Sequence, residues 1–182
     1  MSIRVITQGT PNPNALKFIL AKDLKKSGKV TFVHPAECMH VPLATNILGL
    51  PNVTAVHFFE NVLTVTQDGQ GDWPVLESEI IEVLKTFAPS HDPEFETFDE
   101  QEDKGDWSQE RSKLEEILDR EIRPGLQADG GDIQVLELMD NILTVRYEGA
   151  CGSCPSARTG TLQGIESILR HEFREDIQIV TL

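Results

Sequence analysis

Two cysteines separated by two residues, Cys151 and Cys154, stand between two stretches of different hydrophobic period. Over 142–147, before the motif, apolar side chains alternate with polar ones, as in a strand with one buried face. After the motif, from Leu162 onward, apolar residues recur at the spacing that places side chains on one face of a helix. The sequence therefore predicts that both cysteines lie on a loop that joins a strand to a helix.

The C-x-x-C spacing allows several kinds of sulfur chemistry. Two thiolates so placed can bind one metal ion, bind one edge of an iron–sulfur cluster, or close into a redox-active disulfide. Gly149 and Gly152 add little bulk, so a large group can approach the loop backbone. The spacing alone leaves a cluster site, a structural zinc site and a thiol–disulfide redox pair open.

An iron–sulfur cluster normally takes four thiolates, and this loop provides two. A second copy of the chain, related by a two-fold axis, would provide the other two, and the cluster would then form part of a homodimer interface. A cluster held in this way is expected to be exposed and easily released. That property suits a carrier better than an electron-transfer protein.

Charge and length restrict the function classes. The chain has 182 residues and a formal net charge of −14, which argues against binding to a nucleic-acid backbone. No stretch approaches the roughly 20 apolar residues of a membrane span, so no membrane partner is expected. The N-terminus resembles neither a secretory signal nor a transit peptide, and the three cysteines do not make a disulfide framework. We interpret the chain as cytoplasmic, of bacterial type, or as a trimmed protein of an organellar matrix.

Residues 1–88 are predicted to form a first domain of five strands and two helices. The expected strands are 3–7, 15–20, 29–33, 53–59 and 62–66, and the expected helices are 42–48 and 73–87. Residues 89–106 contain eight acidic residues and one lysine, which gives this stretch a charge of −7. Few apolar groups and a block of like charge predict an extended, flexible acidic linker.

Residues 107–182 are predicted to form a second domain with the element order α-β-β-α-β. Its first helix buries a stripe from Leu114 to Ile122 and should weaken or bend at Pro124-Gly125. A turn is expected at Asp129-Gly130-Gly131-Asp132, followed by strands at 133–138, 142–147 and 177–180 and by the helix after the cysteines. The predicted fold class is α+β, with two small α/β-layer domains joined by the linker.

The two domains share a short internal repeat. ENVLTV at 60–65 matches DNILTV at 140–145 without a gap, so that Asn61 corresponds to Asn141, and each hairpin leads into an amphipathic helix. The first copy carries no cysteine where the second carries Cys151 and Cys154. Either a duplication or convergence on the same turn chemistry explains the match, and both place the sulfur chemistry in the second domain.

Further motifs resemble a known family. QADGGD at 127–132 and GACGSCPS at 149–156 closely resemble the NifU-like C-terminal domain of Nfu proteins. TPNPNALKF at 10–18 resembles the start of the Nfu N-terminal domain. Together the two resemblances span nearly the whole chain outside the linker.

The resemblance implies an iron–sulfur cluster scaffold or carrier rather than an enzyme. Two C-terminal domains would hold a four-iron, four-sulfide (4Fe–4S) cluster between their Cys151 and Cys154 ligands, with a 2Fe–2S cluster as the alternative. An upstream assembly scaffold would supply the cluster, and apo iron–sulfur proteins would receive it. A thiol–disulfide oxidoreductase that uses the same cysteine pair is the second hypothesis.

The third cysteine, Cys38, has His34 and His40 near it in sequence. Three such residues can form a metal site. A lone cysteine near a helix start is more often a small buried hydrophobic residue, and we expect that role for Cys38.

Overall fold

A computed structural model describes residues 3–97, 108–152 and 160–182. The chain separates into two compact units, Met1–Thr97 and Phe98–Leu182, and each contains both helices and a sheet. The predicted α+β class is therefore confirmed. Within the described parts of the chain, no helix is long and apolar enough to cross a membrane.

The first unit is built on a five-stranded antiparallel sheet with the strand order β1-β2-β5-β4-β3. Its strands are β1 Val5–Gly9, β2 Ala15–Leu20, β3 Lys25–Phe32, β4 Val53–Glu60 and β5 Val62–Gln67, and its helices are α1 Pro42–Leu48 and α2 Trp73–Phe87. Both helices have a proline in the first turn, where its missing N–H costs nothing. The inward faces of the sheet and of both helices form one apolar core.

The residues just after α2 belong to the first unit and pack against its sheet. A short 3-10 turn, Ala88–Ser90, leads into residues 91–97, which we call the strap. Pro93 O accepts a 2.9 Å hydrogen bond from the backbone N–H of Lys26, and Phe95 O accepts one of 3.0 Å from Lys25 Nζ. The Phe95 ring is buried against Phe32 and Phe58.

The extended tether expected over 89–106 therefore does not begin at residue 89. One aromatic side chain and a row of backbone carbonyls hold the strap in place, and the charge pattern reveals neither. The rest of the predicted linker, from residue 98 onward, lies outside the described residues.

His91 anchors the start of the strap. Its Nε2–H donates a 2.7 Å hydrogen bond to Leu24 O, and its ring stacks on Phe58 with the centroids 5.8 Å apart. Burial lowers the pKa of His91, and this effect outweighs the opposing hydrogen bond to Leu24. The strap therefore packs best with a neutral imidazole at this position.

The second unit has the predicted order of elements. Its described elements are α3 Ser108–Ile117, a π-helical turn Leu118–Ile122, α4 Arg123–Ala128, β6 Gly131–Met139, β7 Ile142–Gly149, α5 Leu162–Glu172 and β8 Gln178–Thr181. The sheet order is β6-β7-β8, with β6 antiparallel and β8 parallel to β7. The expected weakening at Pro124 takes the form of the π turn just before it, because the proline ring crowds the preceding turn. Side chains from the helices and the sheet form a second core.

The sequence repeat corresponds to a repeat in structure. Glu60 and Asp140, at the two hairpin turns, have positive φ angles of 49° and 52°. In the first unit, Asn61 O accepts a hydrogen bond from Leu20 N at 3.0 Å, and in the second, Asn141 O accepts one from Gln178 N at 2.7 Å. In each unit the asparagine thus ties the hairpin to the neighbouring strand.

Candidate metal centre

Cys151 lies two residues beyond the end of β7, on a sharply turned loop. The turn begins at Gly149, which has a φ of 58°, and the N–H of Ala150 donates a 3.0 Å hydrogen bond to Gly130 O. Gly130 itself has a φ of 80°, so both sides of this contact use backbone conformations that favour glycine. Two glycine turns therefore fix where the cysteine enters the loop.

The Cys151 side chain is buried, with 6% of its surface exposed, and it belongs to the apolar core of the second unit. The sequence predicts an exposed site, and in the single chain this prediction is wrong for Cys151. The physical reason is the Gly149 turn, which directs the loop back over the start of β6. A metal or cluster can therefore reach the Cys151 thiol only if the residues that bury it move.

Gly131 provides the space into which Cys151 packs. It lies opposite Gly149 in the register of β6 and β7. A Cβ atom added at Gly131 would overlap Cys151 Sγ and would lie 2.8 Å from both Cys151 N and Cys151 Cβ. Gly131 is thus required by close approach of the cysteine, whereas the sequence indicated only a turn at this position.

The second predicted ligand, Cys154, lies outside the described residues, as do its neighbours in the range 153–159. Cys151 forms no disulfide with a described residue. Within the described ranges, no three His, Cys, Asp or Glu side chains are placed to hold a metal ion. The described part of one chain therefore contains one thiol of the predicted pair, and it contains no complete set of metal ligands.

Tyr147 is a polar residue in the same core as Cys151, and the sequence did not predict a role for it. It points into the core from β7, with 9% of its surface exposed, and its hydroxyl has no hydrogen-bond partner among the described residues. Burial, followed by the charge of Cys151, raises the pKa of Tyr147 to about 12, so the hydroxyl keeps its proton at neutral pH. A buried hydroxyl without a partner costs about 1–3 kcal/mol. The alternating pattern of the strand predicted that the Tyr147 ring is buried, but it did not predict that the hydroxyl is buried without a hydrogen-bond partner among the described residues.

A buried ion pair supports the glycine turn from the other side. Asp132, 1% exposed, accepts hydrogen bonds from Gln127 Nε2 at 3.0 Å and from Ile133 N at 2.7 Å. Arg123 Nε lies 3.5 Å from Asp132 Oδ1. Burial opposes the charge of Arg123, but its acidic partners outweigh this effect and raise the pKa of Arg123 above its usual value. Asp132 therefore fixes the start of β6 rather than acting as a ligand.

Cys38 does not form a metal site with its neighbouring histidines. It is fully buried in the first unit, and its thiol donates to Pro35 O at 3.5 Å while Thr45 Oγ1 donates to Cys38 Sγ at 3.6 Å. Burial raises the pKa of the Cys38 thiol, which disfavours the thiolate that a metal needs. His40 Nε2 instead donates to Glu96 O at 2.8 Å. The expectation that Cys38 is a small buried core residue is confirmed.

Comparisons with known proteins place both units in families. The family described as Scaffold protein Nfu/NifU N terminal matches residues 5–91, and the NifU-like domain family matches residues 114–180. The mitochondrial NFU1 iron-sulfur cluster scaffold homolog of Homo sapiens is 33% identical over 175 residues, which cover 93% of this chain and 68% of that protein. The mitochondrial NifU-like protein 5 of Arabidopsis thaliana is 33% identical over 178 residues, which cover 93% of this chain and 64% of that protein.

The chain spans about two thirds of the length of these curated relatives. Among solved structures, the solution NMR structure of a NifU-like protein from Saccharomyces cerevisiae is 29% identical and has a TM-score of 0.45. That match covers 49% of this chain and 81% of the yeast protein.

Proposed function

Because this chain belongs to the Nfu family of iron–sulfur cluster scaffold proteins, we propose that it binds a 4Fe–4S cluster and transfers it to apo-proteins. The proposed ligands are Cys151 and Cys154 of two copies of the chain. The observation that carries the proposal is Cys151 itself, a thiol placed by two glycine turns at the start of the C-x-x-C loop.

Two copies are proposed because the C-x-x-C motif of one copy provides only two thiolates. A cluster of this type takes four thiolates, and the motif has two. The described residues contain no group of three His, Cys, Asp or Glu side chains that could hold a metal ion by themselves. A two-fold axis through the cluster supplies two equivalent pairs and makes the interface self-complementary.

Loading then requires a change at the loop, since Cys151 is buried in the single chain. The thiol loses its proton when it binds iron, and a charged sulfur is poorly accommodated among apolar side chains. We therefore expect the groups that cover the Cys151 sulfur to shift as the cluster binds. The apolar packing of the protonated thiol favours the reverse movement when the cluster leaves.

Transfer proceeds by ligand exchange on iron. A thiol of the recipient loses its proton and binds an iron atom, and one scaffold thiolate leaves that iron and takes up a proton. Repetition at each iron moves the cluster without a change in its oxidation state. No catalysed change of a substrate is part of this proposal.

The first unit has no part in cluster ligation in this proposal. Its cysteine, Cys38, is buried and protonated in the core, so we assign that unit to the recognition of the donor scaffold or of the recipients. The proposed location is a cytoplasm or an organellar matrix, where reduced thiols persist.

Anaerobic reconstitution of the full chain with ferrous iron and sulfide tests the proposal. We expect sulfur-to-iron charge-transfer absorption, about two irons per chain and a doubling of the native mass. The variants Cys151→Ala and Cys154→Ala should lose the absorption and the doubled mass together. The matched control is Cys38→Ala, which removes a cysteine from the other unit and should load like the wild type.

Two results would contradict the proposal. Stoichiometric zinc that resists transfer would indicate a structural metal site. Disulfide exchange by a metal-free monomer that never takes up iron would indicate a thiol–disulfide oxidoreductase. Mössbauer spectra of the loaded protein separate a 4Fe–4S cluster from the 2Fe–2S alternative.

A further inference from the structure

The structural repeat places Tyr147 and Gln67 at the same position in their units. The sequence offset from Gln67 to Tyr147 equals the offset from Asn61 to Asn141 that relates the two hairpins. Gln67 pairs with Val53 in the register of β4 and β5, and Tyr147 pairs with Ile133 in the register of β6 and β7. Val53 and Ile133 are related by the same offset, so the two registers agree. Both side chains are buried near the end of the second hairpin strand.

In the first unit, the side chain at this position reaches the loop that follows the strand. Gln67 Oε1 accepts a 2.6 Å hydrogen bond from the backbone N–H of Gly71, and Gln67 Nε2 donates one of 3.0 Å to Gly71 O. Gly71 corresponds to Cys151 at the offset of the repeat. The side chain that holds residue 71 in the first unit therefore has its counterpart in a side chain beside Cys151 in the second.

The counterpart in the second unit is a tyrosine with an unused donor. Both Tyr147 and Cys151 belong to the second core, and each loop turns at a glycine of positive φ, Gly69 at 89° and Gly149 at 58°. The Tyr147 hydroxyl is buried and has no hydrogen-bond partner in the described parts of the chain. A protonated hydroxyl in a core is suited to donate to an anion, and a thiolate bound to iron is such an anion.

We propose that Tyr147 is a positioning residue whose hydroxyl donates a hydrogen bond to the Cys151 sulfur once that sulfur is a thiolate bound to iron. The inference rests on the proposed function, because the hydrogen bond is to a sulfur that has lost its proton in binding iron. Hydrogen bonds to cluster sulfurs raise the reduction potential and stabilise the bound state. Tyr147 therefore favours retention of the cluster until a recipient competes for it.

Infrared spectroscopy can observe the bond directly, because Tyr147 is the only tyrosine of the chain. Full-length protein grown with ring-13C-labelled tyrosine gives one isotope-shifted C–O stretching band. This band should shift when the protein is loaded anaerobically with iron and sulfide. Failure of the band to move on loading would overturn the inference.

The variant Tyr147→Phe removes the hydroxyl and keeps the ring. The loaded variant should have a more negative reduction potential and lose its cluster to a chelator about tenfold faster than the wild type. The metal-free variant should unfold at an unchanged or higher temperature, because the hydroxyl it loses had no partner among the described residues. A purely structural tyrosine would instead lower the unfolding temperature and leave the potential unchanged, which would also overturn the inference.

Thr66→Val is the matched control. Thr66 Oγ1 is also buried without a partner among the described residues, but it lies in the first unit. This variant should leave the potential and the rate of cluster loss unchanged. If neither the wild type nor any variant takes up iron and sulfide, the proposed function fails. If all of them load with the same potential, only the role of Tyr147 fails.

Discussion

Substituting Gly131 by alanine tests whether close packing against Cys151 determines the position of the candidate ligand. The glycine lies opposite Gly149, and an added Cβ would overlap the Cys151 sulfur and lie 2.8 Å from Cys151 N and Cβ. One of these neighbours is backbone, so a side-chain rotation alone does not relieve the crowding. We expect Gly131→Ala to displace the loop.

The size of the effect follows from these distances. Relaxed contacts between heavy atoms lie at about 3.5–4.0 Å, so the Cys151 backbone must retreat by about 0.7 Å or more. Overpacking of this kind costs about 1–3 kcal/mol. For a unit of this size, each kcal/mol corresponds to roughly 4–8 °C in Tm, and we therefore expect a decrease of about 5–20 °C for the second unit.

Circular dichroism and calorimetry of the metal-free protein measure this change, and reconstitution then measures cluster uptake. Gly164→Ala is the control, since nothing lies within 4 Å of a Cβ added there, inside α5. Alanine is the better helix former by about 0.5–1 kcal/mol, so the control should be stabilised. Gly131→Ala should also load less iron and sulfide than Gly164→Ala.

A double-mutant cycle identifies the clash. In Cys151→Ala the sulfur is absent, so adding Gly131→Ala should cost less than it does in the wild type, while the contacts with the backbone N and the Cβ at position 151 keep part of the cost. Equal Tm values for Gly131→Ala and the wild type would refute the claim that Gly131 is required by close approach of Cys151.

Two further predictions concern buried ionisable side chains. The pKa of His91 is lower in the folded protein, so the unfolded chain binds the proton more readily. The contribution of His91 to stability is therefore complete above pH about 6.5 and is lost as the pH falls below that value. The Tm of the first unit should therefore fall on acidification from pH 7 to pH 5, and it should fall less in His91→Gln. Arg123→Ala leaves the buried Asp132 without its cation, and denaturant titration should show a free energy of unfolding lower by about 3 kcal/mol or more. In the control, Arg170→Ala at the more exposed pair with Glu166, the free energy of unfolding should fall by less than about 1 kcal/mol.

The elements that the sequence predicted best are those with a strong hydrophobic period. The helix expected at 73–87 is α2 Trp73–Phe87, and the strand expected at 15–20 is β2 Ala15–Leu20. The buried face of each segment repeats with the period of its helix or strand, and burial dominates the choice of structure. The hairpin turns were equally clear, because an acidic residue and an asparagine accept the turn conformation in both units.

The strap and the start of β3 were not predictable in the same way. Lys25 reads as a surface residue, yet it is buried, and its ammonium group lies 4.5 Å from the centre of the Phe95 ring. That position depends on a segment much later in the chain, whose acidic composition indicates a solvated tether. Composition reports the average character of a segment, whereas a single aromatic ring and several backbone carbonyls determine whether it docks.

At the candidate site, too, the sequence predicted the residue types but not their burial. From the sequence alone, the spacing of Cys151 and Cys154 predicted a pair of sulfur ligands and left the kind of sulfur chemistry open. The burial of Cys151 depends on Gly131, whose role is visible only when β6 and β7 are paired. A pattern of residue types thus predicts which atoms can bind a metal, whereas the access to those atoms depends on contacts between strands.

The first unit offers a comparison within the same chain. There a glutamine closes the loop onto Gly71 through two hydrogen bonds, and residues 67–72 include no cysteine. In the second unit the amide is replaced by a hydroxyl that bonds to nothing described, and Gly71 is replaced by a cysteine. The Gln67 amide already has its partners, whereas, under our proposal, the Tyr147 hydroxyl gains a hydrogen bond when the Cys151 sulfur binds iron as a thiolate. The two units therefore differ at a position near the end of the second hairpin strand, Gln67 or Tyr147, and at the position four residues later, Gly71 or Cys151.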